Sequence, residues 1–182
     1  LRGFALFVES LINGRPFDEL FSYAEQFGIS RTKIIKSLQD NILDAPNKVH
    51  NLYKQFIDET KDELWDSEEE LVNHYRQEKN YSRLKKGLVG GNLIYKYKSA
   101  SLLTATSEWI QFIEEQVFQL VDNQIGFYIE TNELKKQLTN ISKFCNAKLE
   151  GLFDLDSIQC NTTYNFEYDI IKMNKFNETK TL

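Results

Sequence analysis

Two cysteines and two histidines supply all the thiol and imidazole chemistry in these 182 residues: Cys145 and Cys160, His50 and His74. Metal binding by the cysteines would need further ligands at close spacing, and none appear beside them. Cys145 falls on the apolar face of a helical pattern, and Cys160 lies near the start of an extended stretch. Both read as buried thiols, and sequence leaves open whether they pair as a disulfide. His50 sits near a helix start and His74 within a helix. Neither is paired with an acidic or histidine partner four residues on in a ligand-like arrangement, Glu78 beside His74 being a single carboxylate, so both read as solvated or hydrogen-bonded side chains. His74-Tyr75-Arg76 is the stretch that could contribute to a site built jointly with another domain. The acidic run Glu68 to Glu70 reads as a helix start, because neighbouring helix positions point about 100° apart and do not converge on one substrate. Gly90-Gly91-Asn92, preceded by Lys85-Lys86, could cradle a phosphate. Its spacing matches neither a P-loop nor a dinucleotide fingerprint, and it reads as a joint between helices. Trp65 and Trp109 read as packing anchors. No residue is assigned as catalytic, cofactor-binding or metal-ligating.

One corner has a more specific geometry. Ala24-Glu25-Gln26-Phe27-Gly28-Ile29-Ser30, followed by Ile34 and Leu38, resembles a helix-turn-helix. Its turn would lie at Gly28, and Arg31, Thr32, Lys33 and Lys36 would sit at the exposed start of the second helix. Arg31, Lys33 and Lys36 are the DNA-binding candidates of that alternative reading, since they could meet phosphates. Any helix–glycine–helix corner shows the same pattern, and a formal charge of −5 does not favour nucleic acid.

The elements that must position these residues are mostly helical. An apolar fraction of 41% is enough to build a core and argues against disorder. Only two prolines and eight glycines interrupt the chain, which favours long helices. Apolar stripes at helical spacing run through Phe4–Ile12, Phe17–Phe27, Ile34–Ile42 and Val49–Ile57. Ser67 with Glu70 matches a capping box and opens a helix using Leu71, Val72 and Tyr75. Tyr81 and Leu84 continue it as far as Gly87. Leu93, Ile94, Tyr97 and Ala100 read as helix, with a strand at Tyr95–Lys98 as the alternative. The clearest helix uses Trp109, Ile110, Phe112, Ile113, Val117, Leu120 and Val121. Another carries Leu134, Leu138, Ile141, Cys145 and Leu149 and ends at Gly151. From Tyr164 the period changes to two, through Phe166, Tyr168 and Ile170, which predicts a strand. A second extended piece is expected at Leu152 to Ile158.

The expectation is therefore a mainly α array of about seven amphipathic helices over residues 1–151. An extended or β segment follows over 152–182, with a short C-terminal strand or hairpin packed on the helices or on a neighbour. A lone strand is marginal by itself. No apolar run approaches about 18 residues, so no transmembrane span is expected. Two cysteines without a framework suit a reducing compartment, hence the cytoplasm. There the sequons at Asn140, Asn161 and Asn177 carry no meaning. The chain begins at Leu1, which reads as a cut inside a longer polypeptide, although an expression boundary would look the same.

Three stretches carry a resemblance. The first is Asn13-Gly14-Arg15-Pro16-Phe17 with Leu20-Phe21. The second is Glu63-Leu64-Trp65-Asp66 with Glu69-Glu70-Leu71, then Gly90-Gly91-Asn92-Leu93-Ile94. The third is Phe166-Glu167-Tyr168-Asp169-Ile170. Together they resemble the region C-terminal to the catalytic barrel in radical S-adenosylmethionine enzymes that carry a cobalamin-binding domain. The resemblance implies a parent enzyme with a 4Fe-4S cluster, S-adenosylmethionine and cobalamin, all held outside this chain by other domains of the same polypeptide. The three-cysteine cluster motif and the Asp-x-His-x-x-Gly cobalamin motif are absent here, so no catalytic residue is carried over. What the resemblance leaves for this chain is a helical cap that helps enclose substrate and exclude water. The alternatives are the helix-turn-helix regulator and a plain helical protein-interaction module.

Overall fold

The computed structural model describes residues 1–125, 130–150 and 163–175. They contain ten α-helices. Helix α1 (Arg2–Phe7) runs on into a π-helical turn at Val8–Ile12, which presents Phe7 and Leu11 to the core. Gly14 and Arg15, both at positive φ, reverse the chain. Helix α2 (Asp18–Glu25) follows, its Asp18 and Glu19 placed at the positive end of the helix dipole. Gly28 takes φ +77°, the left-handed conformation that a residue with Cβ resists. Ser30 then caps α3 (Arg31–Asp40) by accepting a hydrogen bond from the Lys33 amide at 3.2 Å.

A 3-10 turn at Ile42–Asp44 and Pro46 lead into α4 (Asn47–Asp62). Ser67 caps α5 (Glu68–Arg76), the capping-box start expected from Ser67 and Glu70. One extended residue, Gln77, separates it from α6 (Glu78–Lys85). Asn92 caps α7 (Leu93–Thr104) through the Tyr95 amide at 3.1 Å, so Tyr95–Lys98 is helix and not strand. Ala105 alone divides α7 from α8 (Thr106–Ile125). Helix α9 (Thr131–Leu149) and the short α10 (Ile170–Lys175) complete the described elements.

Helix α8 lies at the centre, packed along α9 and against α2 and α3. Leu134, Leu138, Ile141, Cys145 and Leu149 recur at the 3- and 4-residue spacing that places them on one face of α9. They meet Trp109, Ile113, Val117 and Val121 of α8, together with Phe21 and Ile35, in one continuous core. The Phe7 ring stands edge-on to Trp109 at 5.5 Å and 89°, tying α1 to α8. A smaller core of Leu6, Phe56 and Tyr97 holds α4 to α7. Helices α5 and α6 pack chiefly on one another and bury no residue.

Two expectations are corrected. The described residues form ten helices where about seven are expected: Gln77 splits the helix predicted through Leu71 to Leu84, and the predicted strand ends in α10. The period-two stretch from Tyr164 forms no strand; it runs without regular structure to Asp169 and enters α10 at Ile170. The alternation is nonetheless a real alternation of burial. Phe166 and Tyr168 are half-buried and Ile170 is buried, while the residues between them face solvent. The surface they lie on is helical. The Phe166 ring packs on Phe144 of α9 at 5.5 Å, the Glu167 amide donates to Asn140 Oδ1 at 3.1 Å, and the Tyr168 hydroxyl donates to Glu133 at 2.7 Å. The Asn140 side chain thus meets a backbone amide that a sheet would otherwise have paired. The extended piece expected at Leu152 to Ile158, with Cys160, lies outside the described residues.

Candidate functional site

A cleft of about 650 Å³ lies between the C-terminal end of α4, the α5–α6 hairpin and the start of α7. Trp65 follows α4 and His74 and Tyr75 lie on α5; the three rings form one cluster. Trp65 and His74 lie 4.6 Å apart at 53°, His74 and Tyr75 5.0 Å apart at 82°, and Trp65 and Tyr75 6.2 Å apart. Gly87 and Gly90, both at positive φ, shape the rim, and a Cβ on Gly91 would meet nothing within 4 Å.

The charges in the cleft are partly paired. Lys96 Nζ lies 2.7 Å from both oxygens of Glu59. That contact holds the Glu59 carboxyl below its ordinary range. Burial first, and Glu59 second, push the neighbouring Tyr97 phenol up to about 12. Glu63 is loosely paired with Arg2 at 3.8 Å. Asp62 and Arg83 line the same cleft, and neither has an ion-pair partner among the described residues. A smaller cleft of about 470 Å³ lies between α8, α9 and the Tyr164 segment. Two polar contacts lie within it: Ser107 bonds Asn146 at 3.0 Å, and the Tyr164 hydroxyl bonds Glu150.

The corner at Gly28 adopts the expected helix–turn–helix path, with Ile29 fully buried beneath it. Arg31, Lys33 and Lys36 are not equivalent within it. Arg31 Nη1 lies 2.6 Å from Asp18, its Nε and Nη2 lie 3.0 and 3.2 Å from Glu25, and its guanidinium sits over the Phe21 ring. The Glu25 hydrogen bond is the largest of the effects that raise its already high pKa. Lys33 is exposed, and Lys36 reaches Asp40 at 3.7 Å. Arg31 is therefore occupied in joining α2 to α3.

Cys145 is fully buried, 3.5 Å from Glu19, which also holds Lys148 at 2.5 Å. Burial, reinforced by Glu19, pushes its thiol pKa up, so the thiolate needed for nucleophilic attack or metal ligation is disfavoured. Iron–sulfur clusters are held mainly by several Cys thiolates, and this one described cysteine does not fit that role. Among the described residues, no three His, Cys, Asp or Glu side chains are grouped to hold a metal ion. None of the described helices is long and apolar enough to cross a membrane. His50 lies near the start of α4, remote from His74 in the chain.

Trp109 is a packing anchor, as expected, with its Nε1 buried and unpartnered among the described residues. Trp65 packs on two rings and also lines the cleft, a role its sequence context does not signal. Glu59, Asp62, Arg83 and Lys96 were not singled out from the sequence, because the Glu59–Lys96 contact spans 37 residues and leaves no local pattern. The chain matches no family model, no curated protein and no solved structure.

Proposed function

We propose that this chain is a non-catalytic helical accessory region of a larger, cytoplasmic, cobalamin-binding radical S-adenosylmethionine enzyme. In this reading it docks on the open side of the catalytic barrel and helps enclose substrate. The observation that carries the docking is the α5–α6 hairpin. Its helices bury nothing, yet the hairpin and its flanks expose Leu64, Val72, Tyr81, Leu84 and Leu88, each 39–65% accessible. Single exposed apolar residues are ordinary, and five of them along a helix pair that packs chiefly on itself support a surface for covering. Domain interfaces within a chain commonly bury about 600–1,500 Å², an area that a two-helix face can supply. The three stretches of resemblance to the accessory region of those enzymes support the choice of partner. Covering a radical site against water is the physical purpose of such a cap.

The test is to express the whole reading frame that contains this chain. Iron and sulfide content, and amide exchange across α5 and α6, are compared with those of the isolated chain. Bound cluster and slower exchange over Val72 to Leu88 support the proposal. A frame without cluster cysteines, or exchange that does not change, overturns it; in the second case a free-standing interaction module becomes the better reading.

The helix-turn-helix reading is favoured by the corner at Gly28, and it rests on Lys33 and Lys36, since Arg31 is engaged by Asp18 and Glu25. It requires salt-dependent duplex binding that weakens when Lys33 and Lys36 become Ala. Absence of binding at low salt ends it.

A further inference from the structure

Two opposite charges share the α4–α7 cleft without meeting. Of its three carboxylates, Glu59 is saturated by Lys96 and Glu63 is drawn to Arg2, which leaves Asp62 open. Of its cations, Lys96 is engaged and Arg83 is open. Asp62 and Arg83 line the same cavity and do not pair with one another in the structure. A molecule that carries both complementary charges, an ammonium for Asp62 and a carboxylate for Arg83, would engage the two together.

The remainder of the cleft selects the body of that molecule. Trp65, His74 and Tyr75 offer a clustered aromatic wall, against which a flat ring stacks offset or edge-on. The face of Trp65 also attracts an ammonium. Arg83 has the planar fork that reads a carboxylate through two parallel hydrogen bonds. The volume of about 650 Å³ lies in the range of small-molecule sites. Gly87, Gly90 and Gly91 leave three positions of the rim without side chains, beside Leu88, Val89 and Asn92. We propose that this cleft binds a free aromatic α-amino acid as its zwitterion, with the carboxylate on Arg83, the ammonium on Asp62 and the ring against Trp65, His74 and Tyr75. The binding is read on this chain by itself, because His74, Tyr75 and Arg83 belong to the hairpin that the docking proposal covers. Asp62 and Arg83 are both exposed, so each charge contact is worth no more than about tenfold and the expected affinity is millimolar.

The test is isothermal titration calorimetry of the whole chain with L-phenylalanine, 2-phenylethylamine and 3-phenylpropionate. The amino acid is expected to saturate one site with Kd below about 10 mM, and each single-charge analogue to bind about tenfold more weakly. Arg83→Gln is expected to reduce L-phenylalanine to the affinity of 2-phenylethylamine and to leave the amine unchanged. Asp62→Asn is expected to weaken both ammonium-bearing ligands and spare 3-phenylpropionate. Both positions are on the surface, so the variants fold. No saturable heat with L-phenylalanine up to about 50 mM overturns the proposal. So does an amine that binds as tightly as the amino acid, or variants that weaken all three ligands equally.

Discussion

Replacing Arg31 by Met separates a structural cation from a phosphate-reading one. Methionine keeps an apolar stem against Phe21 and removes the contacts to Asp18, Glu25 and Ser22, which span 2.6 to 3.3 Å. A hydrogen bond to a charged group is worth about 1.5–3 kcal/mol, so engaging two carboxylates amounts to about 3–6 kcal/mol before solvent is counted. The side chains are 24% exposed for Arg31, 28% for Asp18 and 36% for Glu25, so water recovers much of that on removal. Fully exposed pairs contribute only about 0–1 kcal/mol. The net loss expected for this intermediate case is about 1–2 kcal/mol. For a chain of this size that lowers Tm by roughly 2–8 °C. Lys33→Met and Lys36→Met should stay within about 2 °C, because the Lys36–Asp40 pair is 74% and 61% exposed and such helix pairs contribute about 0.3–0.5 kcal/mol. Thermal melts followed by circular dichroism at low salt read all three, and about 0.5 M salt should narrow the gap by screening. If Arg31→Met melts with the parent chain, the pinning argument fails. A duplex titration in which all three variants lose affinity together would restore Arg31 to a reading role.

Gly3→Ala should destabilise the chain by about 1 kcal/mol, because its Cβ would lie 2.5 Å from the Tyr53 hydroxyl and overpacking costs more than the helix propensity gained. In a Tyr53→Phe background the same change should turn neutral or stabilising, and urea unfolding of the four proteins measures the coupling. The Tyr168 hydrogen bond is the largest effect lowering the Glu133 carboxyl from its ordinary 4.5. The clamp's contribution is therefore fully present above about pH 4.5 and is lost as pH falls through the lower folded value. Amide exchange over Tyr168–Lys175 should accelerate in that acid window, and Tyr168→Phe should flatten the dependence. Cys145, fully buried and with its thiol pKa raised, should react with a thiol reagent at least about 100-fold more slowly when folded than in denaturant; a Cys160→Ser background isolates the reading, and equal rates would refute it.

What was legible in the residues was local. The stripe Leu134, Leu138, Ile141, Cys145, Leu149 declares its buried face, because helical spacing needs no knowledge of the partner. Ser67 with Glu70 likewise announces a helix start three residues at a time. The Tyr164–Ile170 alternation shows the limit of that reasoning. Period two reports which side of an extended chain is covered and says nothing of whether a strand or the flank of α9 covers it.

The helical character and most helix boundaries were thus determined by the sequence alone, since the hydrogen bonds and caps that make a helix lie within a few residues of each other. Only the tertiary structure decided that Arg31 is held by Asp18 and Glu25, that Glu59 quenches Lys96, and that Asp62 and Arg83 are left open around an aromatic wall. Those outcomes depend on which helices cross and at what distance. Electrostatic pairing is selected by separation in space, and separation along the chain carries almost no record of it.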